Sequence, residues 1–471
     1  MSYVDVLVLG GGPTGLGAAW WLAQHSTVEW MLCEGSDHLG GLSRSVIDDA
    51  GYTWDVGGHV CFSHYDLVSR MLVQAVGADG FFEHQREAWI RAALTWVPYP
   101  FQNNLHRLPR DVRDRCLRGL VAASEAAIRS AVAPKNFDEF IDATFGDGIA
   151  EVFMRPYNRR VWASPLDVMS YDWIADRVAV PDADRAARNV ARGQDDVGWG
   201  PNSTFLFPKS GGTGAFWNGV GSLLPKERIR MRAVATSIDL ARKTVEFEDG
   251  SSIAYGKLVT TIPLDTTAHM TGDRDLIELT SRLVHSSVNV MGLGVDSSVG
   301  ASLGTKCWMY FAEDDTPFYR VTNFSHYSPA NVPAGTDGAS LLIEVSESPH
   351  RPVNQDTLVA DVIAGLMSVG ILDSAQQVSH VWTHRAEYGY PTPTLSRDDL
   401  VNRSLALLES HGILSRGRFG AWRYEVGNMD HSFAQGYEAA AHLLTGSAEV
   451  TVWNPSRVNS PHPTMGWDWL K

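Results

Sequence analysis

A short apolar strand, residues 3–9, runs directly into Gly10-Gly11-Gly12-Pro13-Thr14-Gly15, and an apolar helical stretch over residues 14–24 follows at once. Few architectures accommodate that junction. Glycines permit a tight turn, and the N–H groups that open a helix favour a negative charge in front of them. Gly10, Gly12, Thr14 and Gly15 therefore read as the phosphate-facing turn of a βαβ dinucleotide-binding unit. The second strand, residues 28–33, ends at Glu34. That is about 20 residues past the turn, where a carboxylate meets a ribose hydroxyl. A plain strand–helix turn does not call for the acid at that distance.

Asp55-Val56-Gly57-Gly58-His59-Val60 is the second signature. Two glycines let backbone lie against a flat ring, and His59 can bond to the ring or stack on it. Alone, His59 is more often a satisfied loop histidine; beside the first signature it points to a flavin. Gly40-Gly41-Leu42-Ser43-Arg44 supplies another turn where backbone can approach a ligand, although by itself it would be a surface turn.

A chain of 471 residues is too long for one core and predicts roughly two or three domains. Residues 108–173 read as mostly helical, with a capping box at Asn136-Phe137-Asp138-Glu139. Residues 176–200 read as a polar loop with short helical pieces, and 96–103 as an extended loop. Alternating runs over 229–258 give a hairpin around Asp249-Gly250, and strands continue at 288–295, 308–311 and 341–345. A Gly-rich turn near Gly417 and an Ala-rich helix from about Asp430 return the chain to its starting domain. The formal charge of −15 argues against nucleic-acid and anionic-membrane partners. Cys33, Cys61, Cys116 and Cys307 show no metal-ligand spacing and read as reduced thiols of a cytoplasmic protein. The apolar stretch 6–23 has no basic flank and is broken by glycine, which disfavours a signal peptide.

Aromatic and amide residues recur at Trp96 to Asn103 and at Phe153 to Asn158, with Trp162 following. Aromatic faces stack on bases, and a carboxamide pairs with a pyrimidine edge; interdomain packing explains either segment equally well alone. Arg177, Arg320 and Arg418 stand among Asn202, Tyr310, Tyr319, Tyr327, Tyr390, Tyr424 and Asn428. Guanidinium forks and phenol hydroxyls suit a sugar diphosphate held without a metal, and no Asp- or His-rich metal cluster is apparent.

Segments 57–65, 84–86, 96–104, 153–162, 200–208, 306–329, 388–395 and 417–433 together resemble the UDP-galactopyranose mutase family, in its larger eukaryotic-type branch. The resemblance implies an α/β fold: a discontinuous Rossmann-like FAD domain (1–82, 202–270, 417–471), a helical domain with mobile flaps (105–201) and a mixed β-sheet substrate domain (83–104, 271–416). It implies an isomerase converting UDP-galactopyranose and UDP-galactofuranose through a sugar adduct at N5 of reduced FAD, with no net redox change. Gly41, Leu42, Ser43, Gly58, His59, Arg418, Gly427, Asn428, Met429 and Ser432 would join the first turn and Glu34 around the flavin. Tyr99, Phe101, Gln102, Phe153, Tyr157, Asn158 and Trp162 would hold uridine. Trp308, Tyr310, Arg320, Tyr327, Tyr390, Tyr424 and Arg418 would surround the diphosphate and sugar, with Arg177 and Asn202 on flaps. His59, Arg177, Asn202 and Arg320 carry the catalytic assignments. NADPH would be the reductant, contacted by His64, Arg86 and Arg418. Met429 replaces a glutamine of the family, and Ala88 a hydroxyl residue.

Three other readings stay open: the same chemistry on another nucleotide sugar, a flavin amine oxidase or desaturase, and a non-catalytic flavin-bound scaffold or sensor. The second has no use for arginines among tyrosines. A homo-oligomer is also left open.

Overall fold

The computed structural model describes residues 2–129, 132–174, 178–179, 181–197 and 203–459. Strand Ser2–Leu9 lies between Trp30–Cys33 and Ser252–Thr260, parallel to both. Val6, Leu7 and Val8 are fully buried, the continuous apolar run of a strand covered on both faces. Thr244–Phe247 and Ala235–Asp239 extend this sheet antiparallel, and Ile229–Arg230 closes its other edge. Ile413–Ser415 also joins it, alongside Ser252–Thr260, so the chain is back in this sheet before Gly417.

Helix Pro13–His25 packs between the sheet and helix Met429–Thr445, which explains why it is apolar on nearly every side. The two helices meet backbone to backbone. A Cβ at Gly17 would lie 2.1 Å from the Phe433 carbonyl oxygen, and one at Gly436 would lie 1.7 Å from that of Thr14.

The second large sheet runs Val378–Pro391, His285–Asp296, Gly338–Glu347, Arg320–Asn323, Trp308–Phe311, Ala88–Ala92 and Thr95–Pro98. The expected extended loop at 96–103 is therefore in part its edge strand, with a turn of 3-10 helix at Phe101–Asn103. Helices Arg110–Arg129, Phe137–Ile149, Arg155–Trp162 and Ala183–Arg192 form a third body against its far end. The last is a helical piece of the kind expected within the polar stretch 176–200; Asp182 caps it by accepting the Arg185 N–H at 2.9 Å. The capping box at Asn136 is half made: Asn136 accepts from Glu139 N–H, but the Glu139 carboxylate takes the Lys135 N–H.

All four cysteines are buried free thiols. Among the described residues no helix is long and apolar enough to cross a membrane.

One buried acid makes stability depend on pH. Glu438 accepts the Thr451 N–H and hydroxyl, yet burial pushes its carboxyl up to about 8, with Glu449 adding to the shift. An unfolded glutamate titrates near 4.5. Between those values the native state holds a proton that the unfolded chain has released, so stability falls as pH rises through the window. Thermal melts are expected to show a lower midpoint at about pH 9 than at about pH 6, with a flatter dependence in Glu438→Gln.

Candidate active site

Two cavities meet at His59. The first, about 460 Å³, is a groove over the first sheet lined by Gly10, Gly12 and Thr14 on one side and Gly41, Leu42 and Ser43 on the other. Gly10 has φ +97, and a Cβ there would lie 2.1 Å from Thr261 Oγ1, so only glycine fits beneath the groove. Gly15 does not line it. A Cβ at Gly15 would lie 1.8 Å from the Gly10 carbonyl oxygen, so this glycine brings the helix onto the strand. Glu34 stands at the end of its strand with one carboxylate oxygen accepting the Gly11 N–H at 2.6 Å and the other the Ser36 N–H at 2.7 Å. Arg418, Gly427, Met429 and Ser432 close the groove from the far end of the chain. Met429 receives the Trp217 indole N–H on its sulfur at 3.4 Å.

The second cavity, about 360 Å³, opens between the two large sheets and the helical body. Helix Arg155–Trp162 presents Tyr157, Asn158 and Trp162, and Phe153 lies in the π-helical turn just before it. Phe101, Phe153 and Tyr157 are stacked in that order, with centroids 4.8 and 5.3 Å apart. Tyr99 faces the same space with the Arg86 guanidinium 5.0 Å from its ring centre. Tyr310, Tyr390, Tyr424, Trp308 and Asn428 complete the wall around Arg320 and Arg418.

Arg320 is held by a partner that sequence reasoning missed. Its Nε and Nη2 donate to the two oxygens of Glu344, the second at 2.7 Å; Glu344 is buried and Arg320 is partly so. The register places them opposite each other on adjacent strands. Burial works against the Arg320 charge, but Glu344 keeps the guanidinium well above its ordinary pKa. Gly58 packs on this pair, for a Cβ there would lie 3.1 Å from Arg320 Nη2.

His59 lines both cavities. Burial, then the charges of Arg418 and Arg320, push its pKa down to about 3, so its imidazole is neutral at physiological pH. Its Nδ1 has no hydrogen-bond partner among the described residues, and neither does the indole N–H of Trp308. A buried polar atom without a partner is uncommon, and both residues belong to the cavity wall. Asp55, four residues earlier, accepts from the Ser45 hydroxyl and from Thr213 N–H and Oγ1–H, the last two at 3.1 and 2.9 Å, and so pins the turn that carries His59. The glycine cradle and Glu34, with His59 on the wall shared by both cavities, together fit a flavin dinucleotide.

A family model described as flavin containing amine oxidoreductase matches residues 13–444. The solved structure of a reduced UDP-galactopyranose mutase is 45% identical over 97% of this chain and 97% of its own, with a TM-score of 0.92. The chain belongs to the UDP-galactopyranose mutase family. A variant of putrescine oxidase (13% identity, 95% of this chain and 100% of its own, TM-score 0.64) shares the fold alone. So does a fatty acid isomerase from P. acnes (14%, 94% and 99%, TM-score 0.64).

Within this member of the mutase family, several expected ligand contacts lie elsewhere. Phe101 is fully buried behind Phe153 and supports it. Gln102 is outside both cavity walls and donates its amide N–H to the Ala179 carbonyl at 2.5 Å. Tyr327 is fully buried among Phe205 and Phe207, off the cavity wall. Arg177 and Asn202 lie outside the described residues. His64 does line the second cavity; its Nδ1 lies 2.8 Å from Asp430, and its ring stacks on His431 at 4.8 Å. Those three residues bring ligand-type atoms within 4.8 Å of one another, a cluster that the sequence spacing conceals because 366 positions separate His64 from Asp430.

Arg160 also escaped sequence reasoning. Only 1% of its side chain is exposed. It donates to the carbonyls of Glu313, Thr316 and Phe318, the Thr316 bond being 2.6 Å. These bonds tie the helix bearing Tyr157 to the turn that delivers Arg320. A lysine cannot reproduce that fork. Arg160→Lys is expected to raise KM for a UDP-sugar roughly tenfold with a smaller change in kcat, read by steady-state kinetics.

Proposed function

We propose that this protein interconverts UDP-galactopyranose and UDP-galactofuranose in the cytoplasm, using reduced FAD and no net redox change. The observation that carries this reading is the shared wall of the two cavities. His59, Arg418, Tyr388 and Met429 border both, so a ligand among the arginines and tyrosines abuts a dinucleotide in the groove. The 45% identity to a UDP-galactopyranose mutase over nearly the full length supports the same assignment.

Reduced FAD, once held by the glycine turn, Glu34 and the Arg418–Ser432 wall, would supply an electron-rich centre able to displace UDP from the anomeric carbon. The chain's own residues bind and orient. Phe153, Tyr157 and Tyr99 offer aromatic faces to uracil, and Asn158 stands beside them with one amide N–H already given to the Met154 carbonyl. Arg320 and Arg418 neutralise the diphosphate both as substrate and as leaving group, and the hydroxyls of Tyr310, Tyr390 and Tyr424 donate to its oxygens. Burial raises the pKa of Tyr310 and Tyr390, which keeps them protonated for that task. Neutral His59 stands between sugar and cofactor and exchanges hydrogen bonds rather than charge with them. Arg86 and His64, near the mouth of the sugar site, are assigned to NADPH together with Arg418.

The test uses purified protein, reduced with dithionite without oxygen and given UDP-galactofuranose. Formation of UDP-galactopyranose only in the reduced state is expected. A yellow protein that binds UDP but leaves this sugar unchanged overturns the galactose assignment. Oxygen consumption with amines would instead favour oxidase chemistry.

A further inference from the structure

Five aromatic rings form one stack between the cofactor groove and the surface. His384 lines the groove. Its ring centre lies 5.9 Å from that of Trp382, with planes 11° apart. Trp382 lies 6.1 Å from Trp54 at 12°, Trp54 5.2 Å from Tyr52 at 13°, and Tyr52 5.0 Å from His380 at 3°. The arrangement follows from side-chain period. His380, Trp382 and His384 alternate along strand Val378–Pro391 and share a face, while Tyr52 and Trp54 share a face of the neighbouring segment, so the two sets interleave. Glycines on the adjoining strand make room: a Cβ at Gly292 would lie 2.5 Å from the Trp54 ring, and one at Gly294 2.4 Å from the Tyr52 hydroxyl.

Asp48 bridges Trp54 and His380 at the outer end, where the chain of rings folds back on itself. Its Oδ2 accepts the Trp54 indole N–H at 2.7 Å and lies 2.7 Å from His380 Nε2. The His380 side chain is 28% exposed. Packing alone does not require such parallel faces, since edge-on contacts serve a core equally well. Phe207 against Phe324, in the same core cluster, is at 88°.

We propose that this stack is a light-driven electron path between the bound flavin and a one-electron donor at the His380–Asp48 end. It rests on the flavin-binding reading above. Tunnelling weakens steeply with the gap between π systems, and Trp and Tyr are among the side chains most readily oxidised. Photoexcited oxidised flavin takes one electron from Trp382, which is refilled from Trp54. Oxidised Trp54 releases its indole proton to Asp48. A thiolate donor at the surface returns one electron across Tyr52, becomes oxidised by one electron, and Asp48 gives the proton back. A second photoexcitation, now of the one-electron flavin, would bring a second electron by the same route; with two protons from water the flavin would be fully reduced, and the two thiyl products would couple to a disulfide.

The experiment illuminates anaerobic flavin-loaded enzyme with blue light in the presence of dithiothreitol. It records tryptophan-radical transient absorption and flavin bleaching for the parent, Trp54→Phe and Trp382→Phe. Phenylalanine keeps a stackable ring that is not oxidised. Both variants are expected to lose the long-lived radical and to bleach at least about tenfold more slowly, while dithionite-reduced turnover in the dark matches the parent. Equal radical yield and bleaching in parent and both variants overturns the path. Parent protein that carries no flavin overturns the cofactor reading, and the path with it.

Discussion

Arg320→Ala is expected to lower kcat/KM for the UDP-sugar by about a thousandfold, close to 4 kcal/mol of transition-state stabilisation. Two losses combine. The diphosphate forfeits its cation, and Glu344, which Arg320 now holds through both carboxylate oxygens, is left as an uncompensated negative charge in the same cavity. The second loss makes a companion variant informative. Arg320→Ala with Glu344→Gln should bind UDP more tightly than Arg320→Ala alone, by roughly tenfold, because the residual repulsion is gone. UDP titration and turnover of the three proteins read both effects. A single variant that binds UDP like the parent removes Arg320 from the site.

His59→Ala is expected to cut turnover by at least about a hundredfold and to shift the absorption of bound flavin. A folded pKa of about 3 leaves His59 neutral across the physiological range, so turnover should show no inflection near the ordinary histidine value of 6.5. Stability gives an independent check. The unfolded histidine binds a proton between pH 6.5 and 3 that the folded one refuses, so this residue destabilises the fold progressively as pH falls through that window. Acid melts of His59→Ala and parent should therefore converge, or cross, toward low pH. An unaltered spectrum together with unaltered turnover would make His59 an ordinary loop residue.

What could be read from the chain was local. Strand, glycine turn, helix and Glu34 lie within one βαβ unit, and their spacing alone fixes where a dinucleotide goes. Gly57, Gly58 and His59 were legible for the same reason. Most of the second cavity's wall was named from the family resemblance, but its internal pairings were not, because they are set by strand order. Arg320 meets Glu344 through the neighbouring register of two strands, and His64 meets Asp430 across nearly the whole sequence. A signal for Glu344 did exist: it is the one acid in the apolar run Leu341-Leu342-Ile343-Glu344-Val345, where a buried carboxylate demands a cation. Gln102 shows the opposite error, since its residue type suited a base edge while the fold directs its amide to Ala179. Arg160 gave no signal at all; in sequence it is one more arginine on a helix.

The cofactor groove draws its walls from residues 10–44, 59, 261–263, 384–388 and 417–432. Translation delivers those pieces in that order, so the first glycine turn exists long before the wall that covers it. Helix Pro13–His25, apolar on almost every side, has to wait for Met429–Thr445 before its exposed face is hidden. Flavin loading is therefore an event of the finished chain rather than of the emerging one. A chain truncated between residues 410 and 430 should be colourless and prone to association. In a cell short of flavin, the same geometry would make supply of the cofactor, rather than synthesis of the polypeptide, set how much protein reaches its final form.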